Sequence, residues 1–170
     1  METKIQKDLN HDWVKKFDES LANHIKYYRE AVKIIGGILK SIWSVHYESK
    51  YSKFEYPAYV RRFGGGIKDD NEFGTAWLHH LHFNPNHPEF YIIPADEGEG
   101  DTILEMPEVF VREMIADWMG SQKVYTGSFD MNDWLKKNFC KKKLHQKSRS
   151  YAISVLKEID QWSSELECAE

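Results

Sequence analysis

The sequence predicts an all-α fold, a single-domain helical bundle, on three observations. Apolar residues recur in steps of three and four over long stretches, the signature of helices with one buried face. Helix-starting and helix-stopping residues bracket those stretches. Strand-like alternation is absent apart from a possible short piece at Phe90-Tyr-Ile-Ile93. A chain of 170 residues fits one domain, 1–170 with a core over about 12–163, and a domain this size buries roughly 70% of its unfolded surface.

Taken in order, residues 13 to 46 read as helix. Phe17, Leu21, His24, Tyr28, Val32, Ile35, Leu39, Ile42 and His46 fall on one face, and Asp12 or Asn10 can cap the start. The pair Gly36-Gly37 interrupts this run. In one straight helix His24 and His46 would stand about 33 Å apart at 1.5 Å per residue. A turn at the glycines instead packs two arms antiparallel and brings both histidines to one seam, and we expect that turn. A short helix follows from Glu55 to Phe63, with Pro57 acceptable in its first turn. The loop from Gly64 to Asn71 is glycine-rich but lacks a preceding strand pattern and the spacing of a phosphate-binding loop.

A helix from Glu72 to about His82, capped by Asn71, places Phe73, Trp77, His80 and Leu81 on one face and sends His79 and His82 elsewhere. Asn84-Pro85 ends it, because the residue before proline avoids the helical region. Residues 94 to 105 read as an exposed acidic loop. Met106-Pro107-Glu108 opens a helix that runs to about Gly120, with Phe110, Met114, Asp117 and Trp118 on one face. Glu113 and Asp117 are neighbours on it, and an acid on an apolar stripe calls for a partner. A short helix from Met131 to Phe139, capped by Asp130, and a last one from about Ser148 to Trp162 complete the bundle.

Composition excludes several classes. Hydrophobic content of 41% and charged content of 29% argue against disorder, and a net charge of −4 against a broad nucleic-acid footprint. The basic segment Lys136 to Lys143 is local and reads as solvated surface. Cys140 and Cys168 form neither a disulfide framework nor a metal-binding CxxC pair, so a reducing cytoplasm fits best. No run is long enough for a membrane span, and the N-terminus has no apolar signal region.

Four of the eight histidines lie between Trp77 and His87. Histidine is the commonest metal ligand and the side chain that titrates near neutral pH, so the cluster points to a metal or acid–base centre. The candidates in order are His24, His46, His79 or His80, His87 and Asp117. That order resembles the HD-domain superfamily, in which histidines and aspartates gather around one or two metal ions inside a helical bundle. The chain more closely resembles a bacterial and phage family known only as domain of unknown function 5662. The matching stretches are His24-Ile25, His46-Tyr-Glu-Ser49-Lys50, Tyr59-Val-Arg-Arg-Phe63, Trp77-Leu-His79-His80, Asn84-Pro-Asn-His87, Met106-Pro107-Glu108, Glu113-Met-Ile-Ala-Asp117-Trp118 and Trp134. Relatives tend to carry aspartate where this chain has Tyr47, and often histidine where it has Asn86. Tyrosine is a poor replacement ligand at neutral pH.

The resemblance implies an HD-like bundle and a divalent metal ion (Zn, Mn, Fe, Co or Ni) bound by His24, His46 and Asp117, with His80 and His87 as further ligands or acid–base groups. Candidate catalytic groups are His80, His87, Lys50 and Glu113, the last orienting a ligand from behind. Lys50, Arg62 and Asn84 are the candidate contacts to a small anionic ligand or substrate. Three functions are expected to compete. One is a metal-dependent phosphohydrolase of a nucleotide or other small phosphate ester. The others are a catalytically inactive binding protein that keeps the pocket and an HD-like non-haem iron oxygenase.

Overall fold

The structure, a computed structural model, describes residues 9–38, 47–96 and 100–162. Helix α1 spans His11–Ile35. Asn10 is its cap, its side-chain oxygen accepting from the backbone N–H of Asp12 and Trp13 at 3.0 and 3.2 Å. The face carrying Phe17, Leu21, Tyr28, Ala31, Val32 and Ile35 is buried, as the periodicity predicts. The helix stops where expected. Gly36 and Gly37 have φ of 66° and 67°, a left-handed conformation that glycine adopts at little cost. Arg112 seals the end by donating from Nη1 to the Ile35 carbonyl at 3.0 Å.

The second arm and His46 lie outside the described residues, but the return of the chain is plain at Tyr47. Its ring sits edge-on to His24 and Tyr28, with centroids 5.3 and 5.2 Å away. In an unbroken helix Tyr47 would stand about 35 Å from His24.

After a 3₁₀ turn at Glu48–Tyr51, helix α2 covers Tyr56–Tyr59 and widens into a π turn at Val60–Gly64. Tyr56 and Tyr59 pack their rings on Phe17 of α1. Helix α3 runs Asp70–Phe83. Its cap is Asp69, not Asn71: the Asp69 carboxylate accepts from the backbone N–H of Asn71 and Glu72 at 3.1 and 3.0 Å. Asn84 ends the helix ahead of Pro85, as predicted.

The Phe90–Ile93 stretch supplies a small strand. β1 (Ile92–Ile93) pairs antiparallel with β2 (Thr102–Ile103), Ile92 opposite Ile103. The acidic segment is therefore partly a hairpin. It is also countered by the basic segment and the helix after it: Lys143 pairs with Asp101 and Lys147 with Glu105, while Lys142 pairs with Glu89 ahead of the segment. Those lysines answer specific acids as well as solvent.

Helix α4 spans Glu108–Thr126, six residues beyond the expected end, and stops at Gly127 with φ of 77°. Pro107 is its cap residue. Gly120 lies against α1, where a Cβ would come within 2.9 Å of the Tyr28 Cα and N. The two helices touch backbone to backbone there. Helix α5 (Asn132–Asn138) leads into a 3₁₀ turn at Phe139–Lys141, and helix α6 covers Gln146–Glu158. Ser148 ties α6 to the start of α4 by bonding both the N–H and the carbonyl of Met106.

One core joins these elements, with Tyr28, Val111, Met114, Met119, Leu135, Phe139, Val155 and Leu156 fully or almost fully buried. Among the described residues, no helix is long and apolar enough to cross a membrane. Cys140 is disulfide-bonded, so cysteine usage no longer argues for a reducing compartment, and Cys168 lies outside the described residues.

Candidate functional site

A cavity of about 220 Å³ opens between α1, the π turn, α3 and α4. His24, Lys50, His80, His87 and Asp117 all line it, joined by Tyr59, Ser121 and a rim of Phe63, Trp77 and Tyr125. Five of the predicted site residues thus meet in one place.

On one wall, His24 of α1 faces α4. Its Nε2 is 3.0 Å from Asp117 Oδ1, and Ser121 Oγ lies 3.4 Å from its Nδ1. Tyr47 closes over this pair. Burial, then the charges of Asp117, Tyr28 and Glu113, push its phenol well above the usual range. It is a neutral group at any physiological pH and offers no anion to a cation. Behind it, Tyr28 donates to Glu113 at 3.1 Å, and burial together with Glu113 and Asp117 raises that phenol too. Glu113 is buried but is not part of the cavity wall.

The opposite wall is built around a residue that the sequence reading did not single out. Glu55, just ahead of α2, is fully buried. Its Oε1 lies 2.7 Å from His79 Nδ1, and its Oε2 3.0 Å from His80 Nδ1. Ser49 also donates to Oε2 at 3.2 Å. Desolvation raises the carboxyl, but the hydrogen bonds from His80, His79 and Ser49 outweigh it and hold the group below its ordinary value. His79 and His80 do not diverge as expected, since one carboxylate takes both. His82 remains exposed.

His80 turns its other nitrogen to His87, Nε2 to Nε2 at 3.0 Å. Trp77 stacks on His80 with centroids 5.5 Å apart and meets His87 edge-on. Asn84 does not line the cavity. It holds the network together, donating to Ser49 Oγ at 3.0 Å and to the His80 carbonyl at 2.8 Å.

Lys50 is the cation of the described lining. Desolvation lowers its amine, against the pull of Asp117 and Glu55, and its Nζ sits 5.1 Å over the Tyr47 ring. Arg62 is not brought to the cavity: its guanidinium covers the Phe73 ring and stands 3.7 Å from Asp70. The Tyr59 hydroxyl is buried with no hydrogen-bond partner among the described residues, and Tyr59 lines the cavity. Asn86 is buried away from the lining, and neither of its amide atoms has a partner among the described residues.

Donors bound at about 2.0–2.2 Å in adjacent positions around one ion stand about 3 Å apart. The His80–His87 and His24–Asp117 contacts, each 3.0 Å, have that spacing. Among the described residues, no group of three or more His, Cys, Asp or Glu converges closely enough to hold an ion. His46, expected as a ligand, is outside them.

Fold and site together define an all-α protein with an internal cavity walled by histidine, carboxylate and lysine. The chain belongs to the family of unknown function DUF5662, whose model matches residues 13–158. No curated protein and no solved structure matches the chain.

Proposed function

We propose that the protein is a divalent-metal-dependent hydrolase of a small phosphate ester, a nucleotide or a compound of similar size. The observation that carries this reading is the His80–His87 contact, two imidazole Nε2 atoms 3.0 Å apart, with the other nitrogen of His80 bound by buried Glu55. A carboxylate behind a histidine is the usual support of a metal-binding imidazole. Resemblance to HD-domain proteins supplies the reaction class.

His80 and His87 line one wall and His24 and Asp117 the other, each pair spaced to bind an ion as two adjacent ligands. A bound divalent ion supplies an acidified water and polarises a phosphoryl oxygen. Lys50 attracts the anionic group, and its desolvation strengthens that attraction. The aromatic rim of Phe63, Trp77 and Tyr125 takes the flat or apolar part of the substrate. A volume of about 220 Å³ favours a monoester over a bulky polymer.

Tyr47 favours a second reading. A neutral phenol stands where the family resemblance implies aspartate, which fits a protein that retains the pocket and binds a small anion without turnover.

Metal analysis of protein purified without a histidine tag, followed by a screen of nucleotides and generic phosphate esters, tests the first reading. Stoichiometric Mn, Co, Ni or Zn with turnover abolished by Asp117→Ala is the expected result. Absence of metal after reconstitution, or full activity in Asp117→Ala, overturns it. A gain of metal in Tyr47→Asp with none in the parent selects the binding protein.

A further inference from the structure

We infer that Glu55 is the positioning residue of this site: it fixes His80 in the tautomer protonated at Nδ1 and so turns the Nε2 lone pair toward His87 and the cavity. The consequence for metal binding rests on the hydrolase reading. The tautomer does not.

The hydrogens around His80 account for it. A carboxylate only accepts, so both imidazole nitrogens on Glu55 must present N–H: His79 Nδ1 at 2.7 Å and His80 Nδ1 at 3.0 Å. Among the described residues, two other polar atoms approach His80 Nδ1, namely Ser49 Oγ at 3.1 Å and Asn84 Nδ2 at 3.0 Å. Either would protonate the other nitrogen instead, if it had a hydrogen to give. Neither does. Ser49 spends its hydroxyl hydrogen on Glu55 Oε2. Asn84 spends one amide hydrogen on Ser49 Oγ and the other on the His80 carbonyl.

With Nδ1 protonated, His80 Nε2 carries the lone pair 3.0 Å from His87 Nε2. Without a cation, His87 donates into that lone pair. With one, the two nitrogens are spaced as adjacent ligands. Glu55 touches neither a substrate nor an ion on this account, and acts only through His80.

The test is nitrogen NMR of metal-free, ¹⁵N-histidine-labelled protein, which reads the tautomer of each ring directly. Wild-type His80 is expected to be protonated at Nδ1. In Glu55→Met the acceptor is gone and the Ser49 hydroxyl is free to donate to Nδ1, so His80 is expected to move its proton to Nε2. Zinc chloride titrated calorimetrically should bind the variant about 10–100-fold more weakly. His79→Phe should leave the His80 tautomer unchanged, and it carries the test if Glu55→Met does not fold. Wild-type His80 protonated at Nε2, an unchanged His80 in Glu55→Met, or a switched His80 in His79→Phe each overturns the inference. Wild-type protein that binds no zinc while His80 is protonated at Nδ1 overturns the metal reading and supports the tautomer.

Discussion

His24 and Asp117 meet across the packed faces of α1 and α4, whereas His80 and His87 are held by a buried carboxylate that no long helix carries. On the first wall, backbone approach at Gly120 sets the distance. On the second, α3 contributes its last turns, and a hydrogen-bond network from Glu55, Ser49 and Asn84 fixes the rings. Similar chemistry is thus positioned in one place by packing and in the other by proton accounting. The two walls should fail differently.

The largest effect is expected at Glu55. Glu55→Ala leaves two imidazole N–H groups facing an emptied buried position and should cost about 3 kcal/mol in urea unfolding. A loss below about 1 kcal/mol would mean that solvent or Ser49 replaces the carboxylate freely. Gly120→Ala comes next, because its methyl must displace the Tyr28 backbone; about 2 kcal/mol is expected, again from unfolding. An unchanged midpoint would show that the α1–α4 approach is slack.

Lys50 sharpens the comparison through pH. Its folded pKa is lowered, so above that value the unfolded chain binds the extra proton, and stability rises with pH until the ordinary value of 10.5. Lys50→Met should flatten that slope. Competitive acylation should also modify Lys50 at a lower pH than the surface lysines, and identical labelling profiles would contradict its desolvation. Smallest of all is Ser121→Ala. Its contact with His24 Nδ1 is long, at 3.4 Å, and its loss should cost about 0.5 kcal/mol in thermal unfolding.

Legibility in the sequence followed the same divide. The α1 face and its stop at Gly36-Gly37 were readable because periodicity and a glycine pair are local signals. So were His24 and Asp117, an imidazole and an acid on apolar stripes. The α3 cap was misplaced by two residues because Asp69-Asp70-Asn71 offers three capping side chains in a row. Glu55 escaped notice for a similar reason. Ser52-Lys-Phe-Glu55 has the spacing of a capping box, and half of it forms, with Ser52 Oγ accepting from the Glu55 N–H at 3.3 Å. The carboxylate turns inward instead, to histidines 24 and 25 residues away. The sequence shows those histidines but not their partner. Arg62 suggests an anion-binding group by charge alone, yet its guanidinium lies over the Phe73 ring, with Nη1 3.7 Å from Asp70, and does not line the cavity.

Arg112 carries a consequence of a different kind. From α4, its one planar fork holds the last carbonyl of α1 and, on α6, the hydroxyl of Tyr151 and the carboxylate of Glu158. Since α1 and α4 run antiparallel from there toward His24 and Ser121, this clamp sets the axial register of the pair. Sliding one helix along the other would first have to break the fork, and any slip would reappear as a changed gap between His24 and Asp117. Lysine would retain the charge and lose the bidentate grip. A residue remote from the cavity thereby acts as the gauge block for one of its walls.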